Sequence, residues 1–323
     1  MTPAASREAK VVGPELSPVQ MHLHPPNSPG IGRVGESTIC TAKRKAAGFV
    51  RHVAIDVSET ALAGGFIAGQ SFGVVPPGET PAGKPHKPRL YSIASPTRGE
   101  DGKGNVLATS CKRLIDEHWD NHTLFRGVAS NYLCDLQVGD EVRVTGPNGK
   151  RFVLPARPEE HNYVFIATGT GIAPFRGMIT DLLEAGVSSR IALLMGSPYA
   201  SDLLYHDEMQ GLADTHSNFE YVTAISRETQ ADGGPPMYVQ ERLSTHEDLL
   251  RPIIDSDRGL IYVCGIAGME VGIVQRLGTS LSGDARDRYL TLADDAPADP
   301  AEWDRKAINR KVKPTKRMFL EVY

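Results

Sequence analysis

At 323 residues the chain exceeds what one small core organises, so two domains are expected. Its 40% hydrophobic content, 32 glycines and 23 prolines suit a turn-rich globular protein, and apolar runs such as "NYVFIA" at 162–167 are far too short to cross a bilayer. A net charge of −4 gives no case for nucleic acid.

Residues 1–35 are Pro-rich, with "MHLHPPNSPG" at 21–30, lack the apolar core of a secretory signal and read as a flexible extension. Glu8, Glu15 and the scarcity of arginine argue against a transit peptide, so a cytoplasmic protein is expected, with an organelle stroma as the other option. His22 and His24 are read as bystanders in a mobile segment, not as metal ligands. The four cysteines, Cys40, Cys111, Cys134 and Cys264, form no C-x-x-C pair, so no metal or iron–sulfur site is expected.

Over 36–157 short β-type runs are broken by turns: "TICTAKRK", "FVRHVAID", "SFGVVPPG", "RLYSIASP", "VLATSCKRL" and "EVRVTGPNG". This spacing predicts an antiparallel β-barrel or sandwich, with one helix near "SNYLCDL" at 130–136. Over 158–323 the pattern changes to strand–helix pairs. "YVFIATGTG" precedes "APFRGMITDLLEAG", "RIALLMGS" precedes "DLLYHDEMQGLA", "FEYVTAIS" precedes "MYVQERLSTHEDLL", and "GLIYVCG" precedes "GMEVGIVQRLG". Such alternation predicts an α/β doubly wound parallel sheet, whose ligands bind beyond the carboxyl ends of the strands. Residues 1–155 hold 18 Lys+Arg against 14 Asp+Glu, and residues 156–323 hold 17 against 25, so the halves differ in sign. That split either orients a charged partner or is chance distribution over a solvated surface.

Four strand ends should share one edge: "TGTG" at 168–171, "GSP" at 196–198, "ISR" at 225–227 and "CGIAG" at 264–268. "ATGTGIAPFRG" puts Gly169 and Gly171 at a strand-to-helix turn, where backbone N–H groups and the helix dipole favour a pyrophosphate; relief of steric crowding is the plainer alternative. Ser226 and Arg227, followed by Tyr238, offer a hydroxyl, a guanidinium and an aromatic face, a set suited to the 2′-phosphate and adenine of NADP. In "RLYS" at 89–92, strand alternation puts Arg89 and Tyr91 on one face and Ser92 on the other. "RGVAS" before the helix supplies amides for a second pyrophosphate.

"KPHKPRLYSIASP", "CKRL", "GVASNYLCDLQVGDEVRVTGPNGK", "ATGTGIAPFRGM", "LLYHDEM", "ISRE", "MYVQ", "YVCGIAGMEVGI" and the final "EVY" occur in the order seen in plant-type ferredoxin:NADP reductases, and from about residue 32 onward the chain resembles that family. The resemblance implies a flavoprotein oxidoreductase that transfers electrons between NADP(H) and ferredoxin or flavodoxin through FAD, by hydride transfer between nicotinamide C4 and flavin N5. It implies FAD on the 36–157 domain, held by Arg89, Leu90, Tyr91 and Ser92, by Ser110, Cys111 and Lys112, by Val128, Ala129 and Ser130, and by Thr170 and Tyr323. It implies NADP on the 158–323 domain at Thr170, Gly171, Ser197, Pro198, Ser226, Arg227, Tyr238, Gln240, Cys264, Gly265, Met269 and Glu321, with Ser92 and Lys112 reaching across. Ser92, Cys264, Glu321 and Tyr323 are then the catalytic set, Tyr323 covering the flavin face where nicotinamide binds.

The chain departs from the family where Pro236 replaces a lysine near the NADP phosphate, where a tyrosine that stacks on adenine aligns near Asp116, leaving Trp119 as a substitute, and where Ala129 replaces a cysteine. The acidic insertion "LADDAPADPAEWD" at 292–304 has no counterpart in the motif. A dock for an acidic carrier is expected on "KRK" at 43–45, Arg51, Lys84, Lys87 and Lys103, and a monomer is expected. The alternatives are the reductase component of an oxygenase system and a non-catalytic flavin-binding subunit.

Overall fold

The computed structural model describes residues 12–44 and 49–323. Its first half runs through β1 (Gly30–Ile39), β2 (Val50–Asp56), β3 (Ser71–Val75), β4 (Arg89–Ser92), β5 (Val106–Lys112), a hairpin of β6 (Ile115–Glu117) and β7 (Leu124–Arg126), helix α1 (Val128–Asp135) and β8 (Glu141–Asn148). Six of these strands form one antiparallel sheet in the order β4-β3-β8-β1-β2-β5. Its edges meet: Thr109 Oγ1 donates to Ser92 O at 2.8 Å and Ala94 N to Ala108 O at 2.7 Å, which curls the sheet into the expected barrel. Val53, Ile55, Phe72, Val74, Leu107 and Val144 fill it, and Leu133 of α1 packs into the same core.

The flexible extension expected over 1–35 is corrected for its described part. Ser17 N donates to Leu154 O at 3.0 Å, His24 N to Gly146 O at 3.0 Å and the Gln70 side chain, through Nε2, to Gln20 O at 3.0 Å, so the Pro-rich stretch is held through its own backbone groups. Strand β1 begins at Gly30, inside that stretch, and alternates Gly30, Gly32 and Val34 inward, a pattern that its glycines mask in the sequence. The run "TICTAKRK" leaves the sheet after Ile39; its Lys45 lies outside the described residues. Both ring nitrogens of His24 are engaged, with Ser28 O and Ala61 N, and no metal-ligating cluster occurs among the described residues.

The second half contains β9 (Asn162–Thr168), α2 (Ile172–Glu184), β10 (Ile191–Ser197), α3 (His206–Thr215), β11 (Phe219–Ile225), α4 (Arg242–Thr245), α5 (Glu247–Ile254), β12 (Gly259–Gly265), α6 (Met269–Ser280), α7 (Gly283–Asp287), β13 (Leu290–Leu292), α8 (Arg305–Arg310), β14 (Val312–Pro314) and β15 (Met318–Val322). Five strands pair in parallel in the order β11-β10-β9-β12-β15. Both faces are buried, which is why these strands read as continuous apolar runs. Tyr163, Phe165, Leu193, Leu260 and Tyr262 face one core with Phe175 and Met178 of α2; Val164, Ile166, Leu194, Ile261 and Val263 face the other with Ile253 and Ile273.

Three expected segments differ in detail. Leu203 and Leu204 of "DLLYHDEMQGLA" pair with residues 40–42 and Tyr205 turns through a left-handed φ of 52°, so the helix starts only at His206. "MYVQERLSTHEDLL" breaks at His246 into α4 and α5. The acidic insertion is a packed cap: Trp303 is buried against Gly278 of α6, its Nε1 donates to Pro297 O at 2.8 Å, and Asp304 caps α8 through Ala307 N at 2.7 Å.

The barrel docks on the first of the two sheet faces. Val50, Ala68 and Phe152 join the cluster of Tyr163, Phe165, Phe175 and Tyr262, with Phe152 and Tyr262 in an edge-on contact at 5.6 Å. Across the same seam His52 Nδ1 meets Tyr205 OH at 3.0 Å. Burial, and then the Arg176 charge, hold the His52 pKa below its ordinary 6.5, against smaller opposing pulls from Glu100, Glu36 and Glu208. The unfolded chain therefore takes up a proton that the folded protein refuses, so the stability from the neutral ring is full above pH 6.5 and is lost as pH falls through the folded pKa. Thermal unfolding should show stability falling on the acid side of pH 6.5, and His52→Gln should flatten that limb; an identical limb in the variant removes His52 from the seam's energetics.

Candidate functional site

Because the five strands are parallel, their carboxyl ends share one edge, and the four expected segments meet there. Ser226 N donates to Ser197 O and Arg227 N to Pro198 O, both at 3.0 Å, stitching the ends of β10 and β11. Ile266 N donates to Thr168 Oγ1 at 3.1 Å, tying the end of β12 to that of β9. Gly171, opening α2, lies directly on the Cys264 carbonyl; a Cβ at this position would overlap it, so close backbone approach is what this glycine provides. The strand order reverses at β9, between β10 and β12, and the Gly169–Gly171 turn stands at that switch point.

Strand alternation sorts the remaining groups by face. Tyr262 and Cys264 of β12 face the barrel-side core, and Phe319 of β15 packs on it, so Glu321 and Tyr323 follow on that side. Cys264 and Glu321 are register partners. Cys264 is fully buried and its thiol pKa is pushed up by burial; Glu321 is half-buried and its carboxyl is raised by burial, with no cation compensating it. The Tyr323 hydroxyl bonds Thr170 Oγ1, so its ring lies across the Gly169–Gly171 turn, and its backbone is fixed by Tyr323 N to Gly265 O at 3.0 Å and Ala267 N to Tyr323 O at 2.8 Å.

From the barrel, β5 lies beside this same turn. Leu107 and Cys111 point into the barrel core, so Ser110 and Lys112 point out of it. Their partners on β2 fix which way: Ser110 pairs with His52, which bonds Tyr205, and Lys112 pairs with Val50, which sits in the barrel-side core of the parallel sheet. The Ser110 hydroxyl is buried without a hydrogen-bond partner, an orphan on the face that meets the second domain. On β4, Tyr91 packs against the barrel core while Leu90, exposed, and Ser92 share the outer face. Arg89 is exposed and donates weakly to Pro88 O at 3.4 Å. The first-turn amides of α1, at Val128, Ala129 and Ser130, have no side-chain cap, and Ser130 Oγ is engaged by Leu114 N at 3.2 Å.

On the nucleotide side, the Arg227 guanidinium stands 5.8 Å from the Tyr199 ring centre, and Tyr238, two residues after Pro236, is exposed. Gln240 packs against Gly272 of α6, and Met269 Sδ accepts from Thr168 Oγ1 at 3.2 Å. Trp119 projects, 95% exposed, from the β6–β7 hairpin. Arg51 is corrected as a docking residue: it is half-buried and donates to Ser37 O at 3.0 Å, leaving Lys43, Arg44, Lys84, Lys87 and Lys103 exposed. Sequence reasoning missed Thr168, Tyr205, His52 and Arg176. A charged residue inside the apolar run Ile172–Met178 was the available signal for Arg176.

A family model described as an oxidoreductase NAD-binding domain matches residues 165–275. The chain is 35% identical to a ferredoxin–NADP reductase of Picosynechococcus over all of its own length and 77% of that protein's, and 37% identical to the cyanelle ferredoxin–NADP reductase of Cyanophora paradoxa over 80% and 68%. Among solved structures, the Plasmodium falciparum ferredoxin–NADP+ reductase superposes with a TM-score of 0.69 at 20% identity, covering 93% of this chain and 98% of that one, and its form with 2′P-AMP gives 0.67 at 19%, covering 95% and 100%. At that identity the structures speak for the fold alone. With a relative 35% identical over the whole of this chain and 77% of its own length, the chain belongs to the ferredoxin–NADP reductase family.

Proposed function

We propose that this protein uses FAD to pass electrons between NADP(H) and a ferredoxin-type carrier. The observation that carries the reading is the juxtaposition of β5 with the Gly169–Gly171 turn, which brings the barrel's orphan Ser110 hydroxyl and the parallel sheet's switch point to one cleft. On this reading residues up to 157 serve FAD and residues 158–323 serve NADP(H).

The residues fit a dinucleotide on the barrel. Arg89, Leu90, Tyr91 and Ser92 on β4, Ser110, Cys111 and Lys112 on β5, and the uncapped amides of Val128, Ala129 and Ser130 would hold it, with the phosphates drawn to the positive end of α1. Trp119 is the exposed ring available to an adenine. FAD supplies the capacity to take a hydride's two electrons together and release them singly.

The chain's own groups then act on NADP(H). The start of α2 at Thr170 and Gly171 receives the pyrophosphate, Ser197 and Pro198 border it, and Ser226, Arg227 and Tyr238 take the 2′-phosphate and adenine, with Gln240 behind them. Cys264, Gly265 and Met269 close the floor beneath the nicotinamide end. Cys264 acts by shape, since burial keeps it a thiol and so a poor nucleophile. The Tyr323 ring must swing off the turn before nicotinamide reaches Ser92 and Cys264, and the raised carboxyl of Glu321 is placed to hold or move a proton at that edge. The exposed Lys43, Arg44, Lys84, Lys87 and Lys103 suit an acidic carrier.

Purified FAD-loaded protein should reduce ferricyanide faster with NADPH than with NADH, and its ferredoxin-dependent cytochrome c reduction should fall as salt rises. Equal rates with the two nucleotides would sink the role given to Arg227, and salt-indifferent turnover the basic dock. If Tyr323 competes with nicotinamide, a stacking energy of about 0.5–1.5 kcal/mol predicts that Tyr323→Ser tightens NADP+ roughly 2- to 10-fold and slows its release; unchanged affinity returns the ring to simple packing. Because burial raises the Glu321 pKa, the stability from its protonated form is full below the ordinary 4.5 and is lost as pH rises through the folded value. Glu321→Gln should therefore raise Tm at pH 8 but not at pH 4 while slowing hydride transfer. A variant no more stable than wild type at pH 8 would show that the carboxylate is solvated.

A further inference from the structure

Two short rigid arms separate the two halves of the cleft from a single joint, Arg176. One is α2 itself: Gly171, at the turn, lies five residues before Arg176, about 7.5 Å along a helix. The other is the chain after β4: Ala94 lies two residues beyond Ser92, at most about 7 Å in extended backbone. At the joint Arg176 NH1 donates to Ala94 O at 3.2 Å and to Glu100 Oε1 at 2.6 Å, NH2 reaches Glu100 Oε2 at 3.2 Å, and Nε donates to Glu208 Oε2 at 2.8 Å. The guanidinium also lies 5.1 Å from the Tyr205 ring centre. Its side chain is 13% exposed, so these bonds form largely out of water.

Neither arm can bend freely. Ala94 N is bonded to Ala108 O, Ala108 N to Ser95 Oγ at 3.2 Å and Glu100 N to Val106 O at 2.9 Å, which fastens the loop to β5. Gly177, the next residue on α2, lies so close to Ser95 O that a Cβ would overlap it. The apolar part of the seam, Val50, Ala68 and Phe152 against Phe175 and Met178, supplies attraction without direction. Beside Arg176 the seam is not close-packed: a solvent-open pocket of about 310 Å³ is lined by Glu36, His52, Glu100, Arg176, Tyr205 and Glu208. Register there depends on directional bonds, and a forked guanidinium–carboxylate pair is the most directional that side chains make. The ties from Thr97 to Asp181 and from Arg98 to Glu184 hold α2 farther from Gly171.

We propose that Arg176, through its forked bond to Glu100, is a positioning residue that sets the distance between the Ser92 strand of the barrel and the Gly169–Gly171 turn, and so between flavin and nicotinamide. This rests on the function proposed above. A shift of 1 Å at the joint passes along both arms to the reacting atoms, where alignment governs rate more than affinity.

Glu100 and Glu208 make the test internally controlled, since both pair with Arg176 but only Glu100 belongs to the barrel. In FAD-loaded full-length protein, Glu100→Gln should slow flavin bleaching by NADPH at least fivefold and weaken the long-wavelength charge-transfer absorbance of the stacked nicotinamide, with flavin content and NADP+ Kd within twofold of wild type. Glu208→Gln should leave rate and absorbance unchanged, and Arg176→Lys, which keeps the charge and loses the fork, should resemble Glu100→Gln. A Glu100→Gln variant equal to wild type in rate and absorbance overturns the proposal, as does equal slowing by both glutamine variants, which marks general destabilisation. A wild-type protein that NADPH does not bleach overturns the functional reading itself.

Discussion

The contact on which the rest depends is the aromatic face that the parallel sheet turns toward the barrel. Tyr163, Phe165 and Tyr262 line it, Phe319 stacks on Tyr262 at 4.4 Å, and Phe152 from the barrel side closes on them. Burial of this area favours docking of the two halves, because apolar surface that would face water in either half alone is removed from it. Everything chemical lies at the rim of this patch. The same strands that carry the aromatic residues inward end in the Gly169–Gly171 turn and the Cys264–Gly265 corner, so docking and site formation are one event.

Strand parity then decides which groups share the cleft. A residue on β12 or β15 faces either the barrel or the outer helices, and a slip of one position would exchange the two sets. Cys264 shares its face with Tyr262, and Glu321 and Tyr323 share theirs with Phe319, so the packing requirement of large rings aims the small reactive groups. On the barrel the pairing of Ser110 with His52 and of Lys112 with Val50 does the same from the opposite side.

This parity is also why so much was legible. Alternating runs and strand–helix pairs predict the barrel and the parallel sheet, and the carboxyl-edge rule brings four segments together before any coordinate is known. What sequence pattern could not supply was long-range pairing. The seam contacts join His52 to Tyr205, residues 40–42 to 203–205 and Arg176 to Glu100, each between residues far apart in the chain. The ordered path of residues 12–29 has no sequence signature for a related reason. Proline and histidine removed the periodic signal, while the bonds that hold the segment come from Leu154, Gly146 and Gln70. Trp303 shows the same limit: the acidic insertion that the family motif leaves unexplained is a packed cap, in which Asp299 and Asp304 cap short helices and Asp295 pairs with Lys311 around one buried ring.

The energetics of the cleft separate what holds the fold from what serves chemistry. Arg176, the most enclosed cation of the seam, has two carboxylates and a carbonyl to offset its burial. Glu321 has nothing comparable: its pKa is raised by desolvation alone, and the group nearest it in register is the uncharged thiol of Cys264. An uncompensated carboxyl is a cost to the folded state, and apolar residues of similar size would fit the barrel-side face more favourably. The Ser110 hydroxyl is a second uncompensated group, buried without a partner on the opposite wall. Among the described residues Arg51 Nε, Ser110 Oγ and His161 Nδ1 are buried without a partner; of these, Ser110 stands on the wall opposite the desolvated Glu321, and a polar ligand between the two would offset both costs.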